Sequence, residues 1–132
     1  MIKGRDFLIV VAQLREEDAE VCKRTLISRA YYAAFLEARS FTESHIGHVA
    51  TRSASEHQGI PALLRQLNPE LDTGLKFLRR IRNSADYDIH LSSRTMELNA
   101  VDAEDYATKI IARLDELAAE RESPPESPEI DD

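Results

Sequence analysis

The sequence predicts an all-α fold, a helical bundle, and three observations carry that expectation. Apolar residues recur at intervals of three and four over long stretches, the period that gathers side chains on one helix face. One central stretch is apolar around much of its circumference, as a helix with neighbours on several sides must be. No stretch shows the alternation of apolar and polar residues that marks a half-buried strand.

The elements follow in order. Residues 6–15 place Phe7, Val10, Val11 and Leu14 at helical spacing, a short amphipathic opener. Residues 18–40 form a long second helix on which Ile27, Ala30, Tyr31, Ala34 and Ala38 share one face, widened by Ala33, Phe35 and Leu36. Its small residues allow another backbone to come close. Residues 41–56 lose the pattern, with Gly47, several Ser and Thr and two His, and are expected to be a loop. Pro61 suits the first turn of a short third helix carrying Leu63, Leu64 and Leu67. Asn68-Pro69 turns the chain, because a residue before proline avoids the helical region. A fourth helix over 70–87 follows, weakened locally by Gly74. Residues 91–100 are polar and aperiodic, so a crossover is expected there. Asn99 or Asp102 caps a last helix with Ala103, Tyr106, Ala107, Ile110, Leu114 and Leu117 on its stripe.

The chain of 132 residues fits one domain, long enough for a core without disulfides or metal. We expect a bundle over residues 1–121 and a disordered acidic Pro/Ser/Glu tail over 122–132. The single Cys22 cannot form an intrachain bridge and reads as an inert core thiol in a reducing compartment. No run is long and apolar enough to span a bilayer, and no secretion-type apolar segment opens the chain, so a cytoplasmic protein without a membrane partner is expected. The tail carries five acids and no base, leaving only −2 of the total charge of −7 for the rest. Near neutrality is compatible with nucleic-acid binding where bases cluster. Lys76, Arg79, Arg80 and Arg82 form such a cluster. For Arg79 and Arg80 the competing explanation is a solvated basic helix face.

Residues 82–90, Arg-Asn-Ser-Ala-Asp-Tyr-Asp-Ile-His, carry the most chemical information. Leu71, Leu75, Leu78, Arg82 and Ala85 lie on one stripe, so Arg82 sits where an apolar side chain belongs. A guanidinium there requires a partner: a carboxylate, a carbonyl, a phosphate or a second subunit. Asp86 is one turn from Arg82, and is also placed to bury against Arg29 of the second helix and lock the bundle. Tyr31 and Tyr32 are adjacent, so one is core while the other meets a cleft or a partner.

Ser28-Arg29-Ala30-Tyr31-Tyr32-Ala33-Ala34-Phe35, followed by Arg82-Asn83-x-Ala85-Asp86-Tyr87, resembles the HEPN superfamily of small nucleotide-binding helical bundles. The likeness is to the branch with an SRAYYAAF helix and an R-x-x-ADY helix, and it spans roughly residues 5 to 118. It implies an up-and-down four-helix bundle with a short additional helix, commonly a homodimer. It also implies a metal-independent endoribonuclease of a toxin–antitoxin or anti-phage defence system, with a nucleotidyltransferase antitoxin or other effector as partner. The alternative it implies is a binding module without catalysis that docks such a partner. In the family the catalytic Arg is followed by a polar residue and, after four to six residues, by His. Arg82 and Asn83 match, and His90 lies one residue beyond that spacing.

Cleaving RNA without metal needs a base for the 2′-hydroxyl, an acid for the leaving oxygen and a cation for the phosphorane. Arg82 supplies the cation and His90 the acid–base group, while Asn83, Tyr87 and Arg79 are candidate RNA contacts. On one helix Arg82 and His90 would stand about 12 Å apart, so two subunits would have to share the pair. Arg29, Tyr31, Tyr32 and Asp86 are the structural part of the motif. His45, His48 and His57 with Glu43 and Glu56 lack the rigid spacing of a closed metal site, so neither metal nor cofactor is expected.

Overall fold

In the computed structural model, residues 1–49, 51 and 53–122 are described. They form a 3-10 turn (Gly4–Asp6) and five α-helices. These are α1 (Phe7–Leu14), α2 (Glu20–Phe41), α3 (Glu56–Arg65), α4 (Pro69–Tyr87) and α5 (Ser93–Glu122). A π-helical turn, Thr42–Ile46, continues α2 and ends at Gly47, whose left-handed φ of 79° suits a residue without Cβ. No strand occurs among the described residues, and the fold is an all-α helical bundle. Glu122, the first residue of the expected 122–132 tail, is instead the last residue of α5, and residues 123–132 lie outside the described residues.

Cross-helix pairs give the directions. Arg24 reaches the Ala85 carbonyl and Tyr32 meets Arg82, so α4 runs antiparallel to α2. Gly74 faces Ile110 and Phe77 stacks on Tyr106, so α5 runs antiparallel to α4. Arg5 binds Glu37 while Lys23 binds the Arg15 carbonyl, so α1 runs antiparallel to α2. Helices α1, α2, α4 and α5 thus alternate in direction, with α3 a short addition against α4.

The stripe on α2 is buried as its spacing implies. Ile27, Ala30, Ala34 and Ala38 are fully buried and Tyr31 is 1% exposed. Leu71, Leu75, Leu78 and Ala85 of α4 meet it, together with Met96, Ala103, Ala107 and Leu114 of α5. Each fully buried Leu or Ile contributes about 1.5–3 kcal/mol relative to exposure. Helix α4 begins as anticipated: the Asn68 side chain accepts the Glu70 amide at 3.0 Å, and Pro69 occupies the first turn.

Two helix starts differ from expectation. Helix α5 begins at Ser93, six to nine residues before the anticipated caps, with the Ser92 hydroxyl accepting the Thr95 amide at 3.1 Å. Its first turns bury only Met96 and Ala100 while Leu98 and Val101 face outward, so the apolar period there is faint. Helix α3 begins at Glu56, with Pro61 inside it. Pro61 forgoes one intrahelical bond, an interruption the buried stripe of Ile60, Pro61 and Leu64 outweighs. Cys22 is half-buried and free.

The N-terminal turn is clamped to α2 by geometry and charge. A Cβ on Gly4 would lie 2.8 Å from the Glu37 nitrogen and 2.9 Å from the Ala33 oxygen, both backbone atoms that cannot swing aside. Arg5 bonds Glu37 at 2.8 Å and Asp115 at 2.7 Å, tying the turn to α2 and α5. Burial alone would raise the Glu37 carboxyl, but its hydrogen bonds from Arg5 outweigh that and hold it below the ordinary value. Gly4→Ala should therefore cost about 1–3 kcal/mol, the usual range for overpacking. Urea denaturation checks this, and a midpoint equal to wild type would show the turn is not seated as described.

Candidate functional site

Arg82 sits on the buried stripe of α4 with its side chain 11% exposed, and it finds its partners within the chain. One terminal nitrogen donates to the Tyr32 hydroxyl at 2.9 Å and the other to the Asn83 side-chain oxygen at 2.7 Å. Its carbon lies 5.2 Å from the ring centroids of both Tyr31 and Tyr32, within cation–π range. Asp86 stands 3.8 Å from Nε, an ion pair too long for a hydrogen bond, and that buried Nε has no hydrogen-bond partner. The guanidinium is fixed by aromatic faces and hydroxyl more than by a carboxylate.

Tyr31 is the core member of the tyrosine pair and Tyr32 the half-buried one. The Tyr31 hydroxyl and His57 Nδ1 are 2.5 Å apart, and the His57 ring stacks on Phe35 at 4.4 Å. Burial raises the Tyr31 hydroxyl to about 12, a rise partly opposed by Arg79 and Arg82. It therefore stays protonated and shares its hydrogen bond with a neutral His57. Burial, reinforced by Arg79, Arg82 and Arg39 against an opposing Glu56, holds His57 below the ordinary 6.5.

That depression has a sign. As pH falls, the unfolded chain takes up the His57 proton first, so stability is full above 6.5 and is lost as pH drops toward the folded value. Denaturation curves taken from about pH 8 to pH 5 should show this loss, reduced in His57→Gln. An identical pH slope in that variant would exclude His57 as the source.

The remaining candidates divide between those joined to the cluster and those apart from it. Of the two partners expected for Asp86, the structure shows Arg82 and not Arg29. The Arg29 guanidinium lies 5.3 Å from the Tyr32 centroid and 5.8 Å from that of Phe7, and Nη2 donates to the Ser28 hydroxyl at 3.4 Å. The aromatic faces draw it away, and Asp86 takes Ser28 at 3.5 Å and Arg82 instead. Asn83 is exposed, and with one lone pair of its oxygen taken by Arg82 it offers a ligand both amide donors and the one remaining lone pair. Arg79 is half-buried one turn earlier, while Arg80 is exposed over the Phe77 ring at 5.3 Å. Tyr87 is 76% exposed, one turn past Asn83. Arg79, Asn83 and Tyr87 thus form a continuous i, i+4, i+8 strip.

His90 is exposed in the turn after α4, where its amide bonds Asp88 Oδ1 at 3.0 Å. It is outside the contacts of Arg82, and the imidazole brought to this cluster is His57. The signal for His57 was present: His57, Ile60, Pro61 and Leu64 have helical spacing, which extends α3 back to the histidine. Arg24 was also missed. It donates to the Ala85 carbonyl at 2.8 Å, so a cation caps the end of α4.

His45 and His48 of the connecting segment and His57 of α3 take separate partners. His45 stacks on Phe41 and faces Glu122, His48 bonds Glu56 at 3.1 Å, and His57 binds Tyr31. Among the described residues no three His, Cys, Asp or Glu side chains converge to hold a metal, and no helix is long and apolar enough to cross a membrane.

Fold and site define an all-α bundle with a donor-rich, aromatic-backed arginine face. No family model matches the chain, and no curated protein or solved structure matches it either.

Proposed function

We propose that this chain is a HEPN-type bundle that engages RNA through the Arg82 face of α4, with two copies bringing these faces to one cleft in a toxin–antitoxin or anti-phage setting. The observation that carries this reading is the strip of Arg79, Asn83 and Tyr87 beside a fixed Arg82. It offers cations for phosphate, amide donors for base edges and an exposed ring for stacking. The donors outnumber the acceptors, as an anionic ligand requires.

Labelled single-stranded RNA titrated with purified protein tests it. Anisotropy should rise on binding, and affinity should fall with salt by about 0.7 log unit per log unit of salt for each phosphate contacted. A folded protein that binds no RNA at low salt would defeat the proposal.

The position of His90 favours a second reading, a module that docks a nucleotidyltransferase or other effector without catalysis. The same RNA separates the two. Cleavage that depends on Arg82 makes the protein a ribonuclease, and bound but intact RNA makes it a binding module.

A further inference from the structure

Two groups beside Arg82 have no partner among the described residues, and they come from different helices. His57, in the first turn of α3, has Nδ1 held by the Tyr31 hydroxyl and its ring stacked on Phe35. Its Nε2 makes no hydrogen bond among the described residues, yet it is not one of the buried unpaired atoms, so it reaches solvent. Arg79, half-buried on α4, likewise makes no hydrogen bond or ion pair among the described residues. It lies three residues before Arg82, on the same helix face. Tyr32 joins the groups: its ring centroid is 6.3 Å from that of His57 and 5.2 Å from the Arg82 carbon. Around the His57 ring stand Tyr31, Tyr32 and Arg39 of α2, Arg79 and Arg82 of α4, and Glu56 of α3, whose Oε1 is taken by the Thr51 amide and His48. Burial and the three arginines outweigh Glu56, so the imidazole is neutral at neutral pH and free to accept a proton. A hydroxyl accepts as well as donates, so Tyr31 suits the tautomer in which Nδ1 carries the hydrogen and Nε2 the lone pair.

We propose that His57 is the general base of this face, and that RNA held there is cut. The inference rests on the reading that the Arg82 face binds RNA. Nε2 takes the proton of a ribose 2′-hydroxyl, and the 2′-oxygen bonds to the adjacent phosphorus. The bond from phosphorus to the 5′-oxygen breaks, and its electron pair leaves with that oxygen, which takes a proton from water. The hydroxide so formed recovers the proton from the His57 imidazolium, so no water is consumed. Arg79 and Arg82 face the charge that builds on the phosphorane oxygens. Tyr31 is a positioning residue, fixing the ring from the core side. The products are a 2′,3′-cyclic phosphate and a 5′-hydroxyl end, and His90 takes no part.

Single-turnover cleavage of labelled single-stranded RNA, with protein in excess and binding followed by anisotropy, tests it. Wild type should leave the cyclic phosphate end, and His57→Gln should cut bound RNA at least about a hundredfold more slowly. The wild-type rate should level off above the His57 pKa, which lies under 6.5, and fall about tenfold per pH unit below it. Circular dichroism at each pH reports the folded fraction, and this profile needs no substitution, so it stands even where His57→Gln fails to fold. Bound RNA that stays intact overturns the inference and leaves the binding reading in place. So does cleavage at an equal rate in His57→Gln, or a wild-type rate that is flat from about pH 8 to pH 5. A protein that binds no RNA overturns both.

Discussion

Arg82→Ala should weaken RNA binding by at least tenfold and cost the fold about 1–3 kcal/mol, the range for losing hydrogen bonds to a charged group. The two effects have separate origins. The binding loss follows from removing the cation and from releasing Asn83, whose amide no longer has its oxygen held. The stability loss follows from leaving the half-buried Tyr32 hydroxyl without its donor and Asp86 without its nearest cation. Arg82→Lys separates them further, because an ammonium keeps the charge but cannot bond Tyr32 and Asn83 with one planar fork. It should recover stability in part and RNA affinity only slightly. Anisotropy and urea denaturation on the same samples provide both readouts. RNA affinity equal to wild type in folded Arg82→Ala would remove this face from the function.

Tyr31→Ala should be the most damaging single change to the fold, at about 3–5 kcal/mol, as for large aromatic truncations in cores. Tyr31 is among the largest fully buried side chains, and its ring meets those of Tyr32, Phe35 and His57 at 5.3–5.7 Å as well as the Arg82 guanidinium. Its removal opens a cavity under the whole cluster. Tyr31→Phe keeps the ring and deletes only the hydroxyl bonded to His57, leaving Nδ1 unpaired, at a cost of about 1–3 kcal/mol. Thermal denaturation ranks the two variants. If the alanine variant were no less stable than the phenylalanine one, the central place given to this ring would be wrong.

Single-helix periodicity carried much of the fold. The stripes of α2 and α4 were readable because Leu, Ile and Tyr stand out from polar neighbours, and Asn68-Pro69 announced the start of α4. The beginning of α5 was not, because its first turns bury only Met96 and Ala100, too few positions to show a period. Within the site, the burial of Arg82 and its demand for a partner were legible from its place between Leu78 and Ala85. Which partner it found was not. Tyr32 is 50 positions away and His57 meets Tyr31 across 26, and a periodic pattern describes one helix without saying which helix it touches. Arg82 and Arg29 were both open as partners of Asp86, and sequence could not choose between them for a related reason: it shows opposite charges, but not the aromatic rings competing for the Arg29 guanidinium.

The clamp made by Arg5 joins positions 110 apart, almost the ends of the described chain. Contacts of such separation form after local ones, since the entropy of closing the loop must be met first. The α3–α4 hairpin, with its short connection, has no such delay. The turn's bonds to Glu37 span only 32 positions and need α2 alone, but a chain still emerging from the ribosome cannot complete the Asp115 arm of the clamp until α5 has been made.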